Sequence, residues 1–169
     1  MARPNVAEHS PFFSRYIDLV NGESATEAKR NHAQVLHDFF INLPTSKADF
    51  AYGEGKWTIK EVLQHIIDTE RIFSYRLLRI ARKDTTPLPG FDENSFAENS
   101  MADKRTLNEL KEEFAAVRKS SDLLVDSLSE EQLQNMGTSS NHVTSANSLA
   151  FMIYGHLLHH KKIVEERYL

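Results

Sequence analysis

Two histidines, His156 and His160, lie one helical turn apart in a segment whose inward-facing positions are otherwise apolar. Side chains at positions i and i+4 of a helix share a face, with Cβ atoms roughly 6 Å apart, so both imidazoles can reach one metal ion. His65 is the best candidate for a third ligand, because it also lies on an inward-looking helical face. Three protein ligands and an open fourth position are typical of a catalytic zinc-type site.

The alternative interpretation of these histidines is structural. A buried histidine is often a hydrogen-bonded core residue, and a chain with 8 histidines can place two at this spacing by chance. His159 also competes as a ligand, since it follows His156 by three residues. The apolar stripe favours His160, whereas His159 leads toward the polar side of the helix. His32 could be buried in its helix, and the remaining histidines look like surface or loop residues: His9, His37 and His142.

Three further side chains could act beside the metal. Asp68 follows His65 by three residues and Glu61 precedes it by four, so either carboxylate could orient the imidazole. We favour Asp68, as a hydrogen-bond acceptor or general base; its alternative role is that of an ordinary buried hydrogen-bonding partner. Arg76 lies on the same helical face and could bind an anionic group of a substrate, or pair with a structural carboxylate.

The amino-acid composition limits which groups of the chain could bind a metal or act as a nucleophile. With Cys 0, the chain forms no disulfides and offers neither thiolate ligands nor a cysteine nucleophile, so histidines and carboxylates must hold any metal. Leu157 follows His156 where an H-E-x-x-H metalloprotease has its glutamate, so that mechanism is unsupported. Hydrolysis by a metal-activated water with Asp68 as base stays open. The net charge of -4 and the interspersed basic residues predict no nucleic-acid binding.

Length and hydropathy predict a single domain over residues 1–169. The chain is 40% hydrophobic, which provides for one substantial core at this length. No apolar run approaches the ~20 residues of a membrane span, and the N-terminus lacks the apolar run of a signal peptide. We therefore expect a cytoplasmic protein with no membrane partner.

Helix-start signals recur along the sequence and indicate an all-α protein. Capping boxes, in which Ser or Thr is followed three residues later by Glu or Gln, begin at Ser24, Thr58, Thr106 and Ser129. Apolar spacing predicts one short helix over 11–20 and four long helices over 25–42, 59–82, 107–127 and 146–167. No segment alternates as a strand would.

The connection between the second and third long helices contains about twenty residues, whereas connections in helical bundles usually contain 2 to 8 residues. It can cross the bundle, because twenty extended residues reach about 66 Å and a helix of about 24 residues spans about 36 Å. We interpret it as a packed crossover that buries Phe91 and Phe96, in preference to a substrate lid. His65 and His160 meet only if their helices are antiparallel, as in an up-down-down-up four-helix bundle.

Three stretches resemble the DinB-like superfamily: KWTIKEVLQHIIDTERIF at 56–73, TPLPGFDE at 86–93 and GHLLHH at 155–160. The resemblance implies an up-down-down-up bundle, a divalent metal held by three histidines, and a homodimer. It places the ligands on His65, His156 and His160, the trio that spacing also proposes. The superfamily includes metal-dependent hydrolases and thiol-dependent enzymes, namely a mycothiol-dependent maleylpyruvate isomerase and bacillithiol S-transferases.

We therefore expect a metal-dependent enzyme that acts on a small molecule by thiol S-transfer or by hydrolysis. Zinc or nickel suits imidazole ligands, and S-transfer would also require a low-molecular-weight thiol. The lack of Cys suits S-transfer, because the attacking sulfur would arrive on the cofactor. The alternative is a non-enzymatic metal- or ligand-binding stress-response bundle. An open coordination position would favour catalysis, whereas a fourth protein ligand such as Asp68 or His159 would favour the structural role.

Overall fold

A computed structural model describes residues 2–169, and within that range the chain forms seven α-helices and one β-hairpin. The elements in chain order are α1 (Pro11–Ile17), α2 (Ala25–Ile41), α3 (Ile59–Ala81), α4 (Glu93–Asn99), α5 (Leu107–Asp126), α6 (Glu130–Leu133), β1 (Met136–Ser139), β2 (His142–Ser145) and α7 (Ala146–Arg167). The four long helices α2, α3, α5 and α7 pack into a bundle, which confirms the predicted fold class.

Side-chain contacts establish that α3 and α5 are parallel. Glu70 of α3 pairs with Arg118 of α5, and one turn further along both helices Ser74 contacts Ser121 at 2.8 Å. The long link between these helices therefore returns the chain to the end of the bundle where α3 began. This is the predicted crossover.

The other two long helices run in the opposite direction. The Tyr168 hydroxyl, just after α7, donates to the carbonyl of Trp57, just before α3, so α3 and α7 are antiparallel. Lys29 near the start of α2 pairs with Asp126 at the end of α5, so these helices are antiparallel too. The order is up-down-down-up, and the start of α3 lies beside the end of α7.

Helix α7 is the central element of the fold. It packs against α1, α2 and α3, and residues 146–157 are buried all around the helix. A helix that is buried on all sides in this way belongs to a protein core. His156 and, one turn further on, His160 are buried as well. Across the described part of the chain, no helix has both the length and the apolar character required to span a membrane.

The helix boundaries lie close to the predicted ones. The short first helix ends at Ile17, three residues before its predicted end. Each long helix ends within one residue of its own predicted end. The capping boxes at Thr58 and Thr106 are complete. At Ser24 the box is half formed, because the Glu27 carboxylate accepts from the Glu23 N–H instead of closing back on Ser24. The box at Ser129 opens only the four-residue α6.

The prediction that no segment forms a strand was wrong. Strands β1 and β2 pair in antiparallel register, with Met136 opposite Ser145. Ser140 and Asn141 make the tight turn with φ of 51° and 64°, which suits the right-handed twist of a hairpin. Each strand has only four residues, too few for alternation of apolar and polar positions to be recognised.

The crossover is anchored by different residues from those predicted. Phe96 is 45% exposed, whereas Leu88 and Ala97 are buried. The backbone of Leu88 donates to Thr138 of β1 and accepts from the Ser140 N–H, both at 2.9 Å. The missed hairpin therefore holds the crossover, and Phe91 is left half-buried in the wall of a cavity.

Candidate metal site

Helices α3 and α7 bring the three predicted histidines together. The Nε2 atom of His156 lies 3.1 Å from Nε2 of His65 and 3.0 Å from Nε2 of His160. One ligating nitrogen from each of the three residues falls within 4.8 Å of the others. The cluster forms because one turn of α3 faces two successive turns of the antiparallel α7.

The chemistry of the three nitrogens fits a bound cation. An imidazole nitrogen has a single in-plane position, which holds either a lone pair or a hydrogen. His156 Nε2 faces two other ring nitrogens, so a hydrogen bond can satisfy at most one of these contacts. Three lone pairs that converge on one ion satisfy all of them. Zn–N bonds of about 2.0–2.1 Å in tetrahedral geometry require N···N separations of roughly 3.3 Å, close to the two separations at His156.

The environment keeps the three imidazoles neutral. Burial, with a contribution from nearby His159, lowers the pKa of His65 to about 4. Burial and the neighbouring histidines lower the pKa values of His156 and His160 well below the ordinary value. The neutral imidazole is the form that binds a metal, so the cluster is ready to bind one at neutral pH.

One side of the histidine cluster opens into a cavity of about 270 Å³. Its walls are mostly aromatic and come from several segments of the chain: Phe12, Phe13, Tyr16, Trp57, Phe73 and Phe91. The polar groups in the wall, besides the cluster, are Thr69, Arg76, Glu93, Ser140 and His159. Within residues 2–169, no Asp, Glu or fourth His joins the group that could bind the ion. The coordination position toward the cavity is therefore free of a protein ligand.

Asp68, the favoured partner of His65, is directed elsewhere. Its carboxylate accepts a hydrogen bond from Gln64 at 2.9 Å and lies 4.0 Å from Arg71. It lines a separate cavity beside α4 with Phe96. Burial raises the pKa of Asp68, opposed by its hydrogen bond with Gln64. These contacts give Asp68 the role of an ordinary hydrogen-bonding partner, and the structure does not bring it to the histidines.

Glu61, the other carboxylate considered, is used by the helix start. Its Oε2 atom accepts from the N–H and the hydroxyl of Thr58, at 2.7 and 2.8 Å. The group near the back of His65 is instead Thr69, whose hydroxyl lies 3.5 Å from Nδ1. A threonine four residues after a histidine shares its helical face, so the spacing contained this signal.

The short helix α1 supplies a wall of the cavity that sequence reasoning missed. A Cβ atom at Gly155 would lie 2.3 Å from the carbonyl oxygen of Tyr16, so only glycine lets α1 approach α7 this closely. The approach places the Tyr16 ring 5.6 Å from the ring of His156 and 5.1 Å from that of His159. The glycine immediately before His156 was the available signal.

His159 lies at the cavity wall, although its spacing predicted the polar side of α7. It is half-buried, and burial lowers its pKa, with Arg15 and Lys162 adding to the effect. Two other histidines have structural contacts. His32 is buried as expected and accepts from the Asn21 N–H at 2.8 Å. His9 was expected at the surface, but it is 6% exposed and bonded to Ser14.

Arg76 lies in the same cavity as the three histidines. It is 3% exposed, and its Nη2 atom donates to the Pro89 carbonyl at 2.6 Å. Burial lowers its pKa. Among the ion pairs of residues 2–169 there is none with Arg76, so the structure provides no carboxylate partner for it.

Comparison with known proteins decides the family. The family model described as the DinB superfamily matches residues 29–164. The chain belongs to the DinB superfamily. A search of curated protein sequences gave no significant match.

Two solved structures show the same fold. YfiT from Bacillus subtilis, described as a probable metal-dependent hydrolase with an unusual four-helix bundle topology, superposes with a TM-score of 0.72 and 14% identity over 96% of this chain and 89% of YfiT. A mycothiol-dependent maleylpyruvate isomerase superposes with a TM-score of 0.64 and 12% identity over 89% of this chain. This DinB-superfamily chain spans only 59% of the isomerase. At such identities the likeness is one of fold.

Proposed function

We propose that the chain is a metal-dependent enzyme that acts on a small molecule in the cavity beside the three histidines. One observation carries the proposal: the Nε2 atoms of His65, His156 and His160 converge at the wall of an aromatic cavity. No fourth ligand closes the group within the described residues. A free position of this kind is what catalytic sites keep and structural sites lack.

Different residues of the chain would have different roles around the ion. A divalent metal, zinc or nickel in our proposal, would supply Lewis acidity and lower the pKa of a water or thiol that it binds. The aromatic side chains supply apolar walls for a substrate. His159 and Glu93 are the titratable cavity groups, outside the proposed ligands, that can accept a proton. They take the place that Asp68 had in the sequence-based hypothesis.

Hydrolysis is the first candidate reaction. The cavity offers proton acceptors beside the proposed metal position, which hydrolysis requires, and YfiT is described as a probable metal-dependent hydrolase. Thiol S-transfer is the second candidate. Its support is the absence of Cys in the chain and the fold shared with a mycothiol-dependent isomerase. In that reaction a low-molecular-weight thiol would be the second cofactor.

A paired assay tests the proposal. The metal-loaded protein is assayed with a panel of esters and amides, and separately with an electrophilic aromatic acceptor and several low-molecular-weight thiols. We expect turnover in one panel that is lost in His65→Ala and reduced in Glu93→Gln or His159→Gln. Asp68→Asn is the matched control and should keep activity, because Asp68 lines another cavity. No turnover above His65→Ala in either panel would favour the non-enzymatic metal- or ligand-binding bundle.

We also propose a homodimer, on the strength of the family resemblance. Light scattering at micromolar concentration should give twice the chain mass. A species of 19.4 kDa, the mass of one chain, would contradict it.

A further inference from the structure

We propose that the cavity selects a small carboxylate carried on an aromatic or similarly flat apolar group, and that Arg76 binds the carboxylate. This inference rests on the proposed function, since it names the class of substrate that would approach the metal. It is carried by three features: the unpaired charge of Arg76, the aromatic walls of the cavity, and the separation between Arg76 and the histidines.

The guanidinium of Arg76 has hydrogen-bonding capacity to spare. A guanidinium has five N–H donors, and among the described residues Arg76 uses only Nη2, toward the Pro89 carbonyl. Neither Nε nor Nη1 is among the fully enclosed atoms without a partner, so both keep some exposed surface, and the Arg76 side chain lines the cavity. A carboxylate matches this fork of donors and would also neutralise the charge.

A comparison with Arg118 shows that the charge of Arg76 is unusual. Arg118 is equally buried, and it bonds to the carboxylates of Glu70 and Asp122. A buried charge without a partner is unfavourable, which is why proteins normally pair such groups. Arg76 lacks that pairing within residues 2–169, and it lines the cavity. A ligand anion is the partner that would complete it.

The walls favour a flat apolar body for the ligand. Phe13 and Phe73 meet edge to face with ring centres 6.1 Å apart, and the Phe91 ring lies 5.9 Å from the Arg76 guanidinium carbon. Aromatic rings bind other rings in offset or edge-to-face arrangements. The cavity volume of about 270 Å³ lies just below the range of about 300–1,000 Å³ that holds drug-sized ligands. A ligand built on one ring fits these limits.

Arg76 and His65 both line this cavity. They are three helical turns apart on α3, about 16 Å of helix rise, and the arginine side chain leans back toward the N-terminus of the helix. Phe73 lies between them along the helix and lines the same cavity. A ring would therefore serve as the spacer between a carboxylate at Arg76 and a reactive group near the histidines.

The test uses benzoate and benzamide, which have nearly the same shape and differ in charge. Trp57 is the single tryptophan, its ring lies 4.8 Å from that of His65, and it lines the cavity, so its fluorescence reports binding. We expect the metal-loaded protein to bind benzoate about 10- to 100-fold more tightly than benzamide, the range for a hydrogen bond to a charged group. Arg76→Met should abolish that preference.

Two controls separate Arg76 from other anion sites. Arg79 also lies on α3, but it pairs with Asp84 outside the cavity. Arg79→Met should therefore leave the preference for benzoate unchanged. Removal of the metal with a chelator should also leave the preference, because Arg76 and not the ion binds the carboxylate. If Arg76→Met fails to fold, the chelated wild type and Arg76→Lys replace it; the lysine variant should retain a weakened preference, because it keeps the charge and loses the fork.

The possible outcomes decide the matter. Equal binding of the two probes, no binding of either, a preference that survives Arg76→Met, or one that disappears with the metal would overturn the inference. Failure of the proposed function has a different signature. The protein would then hold no metal and show no turnover, while the preference for benzoate over benzamide and its dependence on Arg76 persisted.

Discussion

Two buried polar clusters join α3 to α7, and they differ in how their members are satisfied. One is the histidine cluster, His65, His156 and His160. The other is a charged network, which we define as Glu70, Arg118, Asp122 and Tyr154. In this network Arg118 donates to Glu70 at 2.6 Å and to Asp122, and Tyr154 donates to Asp122 at 2.9 Å. Both clusters are buried apart from Asp122, whose side chain is 20% exposed, but only the histidine cluster borders the aromatic cavity.

The difference is one of chemical complementarity. The charged network combines donors with acceptors and a cation with two carboxylates. Burial lowers the pKa of Arg118, but Glu70 and Asp122 raise it by more, so Arg118 stays charged. Burial raises the pKa of Glu70, and Arg118 opposes that shift. The histidine cluster combines three neutral rings, and a hydrogen bond can satisfy at most one of the two contacts between them. Burial of polar groups therefore does not by itself identify a site in this fold. A missing partner beside a cavity does.

The largest expected effect comes from breaking the charged network. Arg118→Met should lower the free energy of unfolding by about 3–5 kcal/mol, because it leaves Glu70 buried without its cation. Urea unfolding measures this loss. Metal content should stay at the wild-type level, since no member of the network lines the cavity. A variant of normal stability that has lost its metal would contradict the separation of the two clusters.

Acidification should distinguish the histidine cluster in the metal-free protein. The pKa of His65 is about 4 in the folded state, below its ordinary value of 6.5. Below pH 6.5 the unfolded chain therefore binds a proton that the folded chain does not bind until about pH 4. The stability contributed by neutral His65 is present above pH 6.5 and is lost as pH falls toward 4, by about 3 kcal/mol in total.

Urea unfolding between pH 7 and 4.5 measures this dependence. His65→Gln should make the decline in stability smaller and leave the part that comes from His156 and His160, whereas His142→Gln, at an exposed position, should leave the decline unchanged. The same decline in His65→Gln and in the wild type would show that His65 is not held neutral by its surroundings.

The smallest effect is expected at Thr69, which lies behind His65. Thr69→Val keeps the shape and removes the oxygen near Nδ1, so metal affinity should fall by about 10-fold, the lower end for outer partners of a ligating histidine. Competition with a chromophoric chelator measures the affinity. Thr69→Ser keeps the oxygen and should bind metal nearly as well as the wild type. Equal losses in both variants would point to packing as the cause.

The sequence predicted those parts of the site that lie on single helices. The i,i+4 spacing placed His156 and His160 on one face, and the capping box at Thr58 located the start of the helix that carries His65. Asp68 and Thr69 show the limit of this reasoning. At 100° per residue around the helix axis, Asp68 lies about 60° to one side of His65 and Thr69 about 40° to the other. Only the packing of neighbouring elements decides which of these sides faces the cavity.

The walls of the cavity depended on contacts between distant segments. Phe12 and Phe13 come from α1, Trp57 precedes α3, and Phe91 lies on the crossover, so no local pattern joins them. The crossover itself is positioned by the β-hairpin, whose four-residue strands were too short to predict. The bundle and the histidine trio were therefore predictable from local patterns, while the walls of the cavity were not.

The metal content of the purified protein tests the central claim most directly. The chain is purified without a histidine tag, and its metal is measured by mass spectrometry beside that of His160→Ala and of Arg118→Met. The account predicts about one divalent ion per chain in the wild type and in Arg118→Met, and a large loss in His160→Ala, because only the latter removes one of three ligands. Equal and negligible metal in the wild type and in His160→Ala would contradict it.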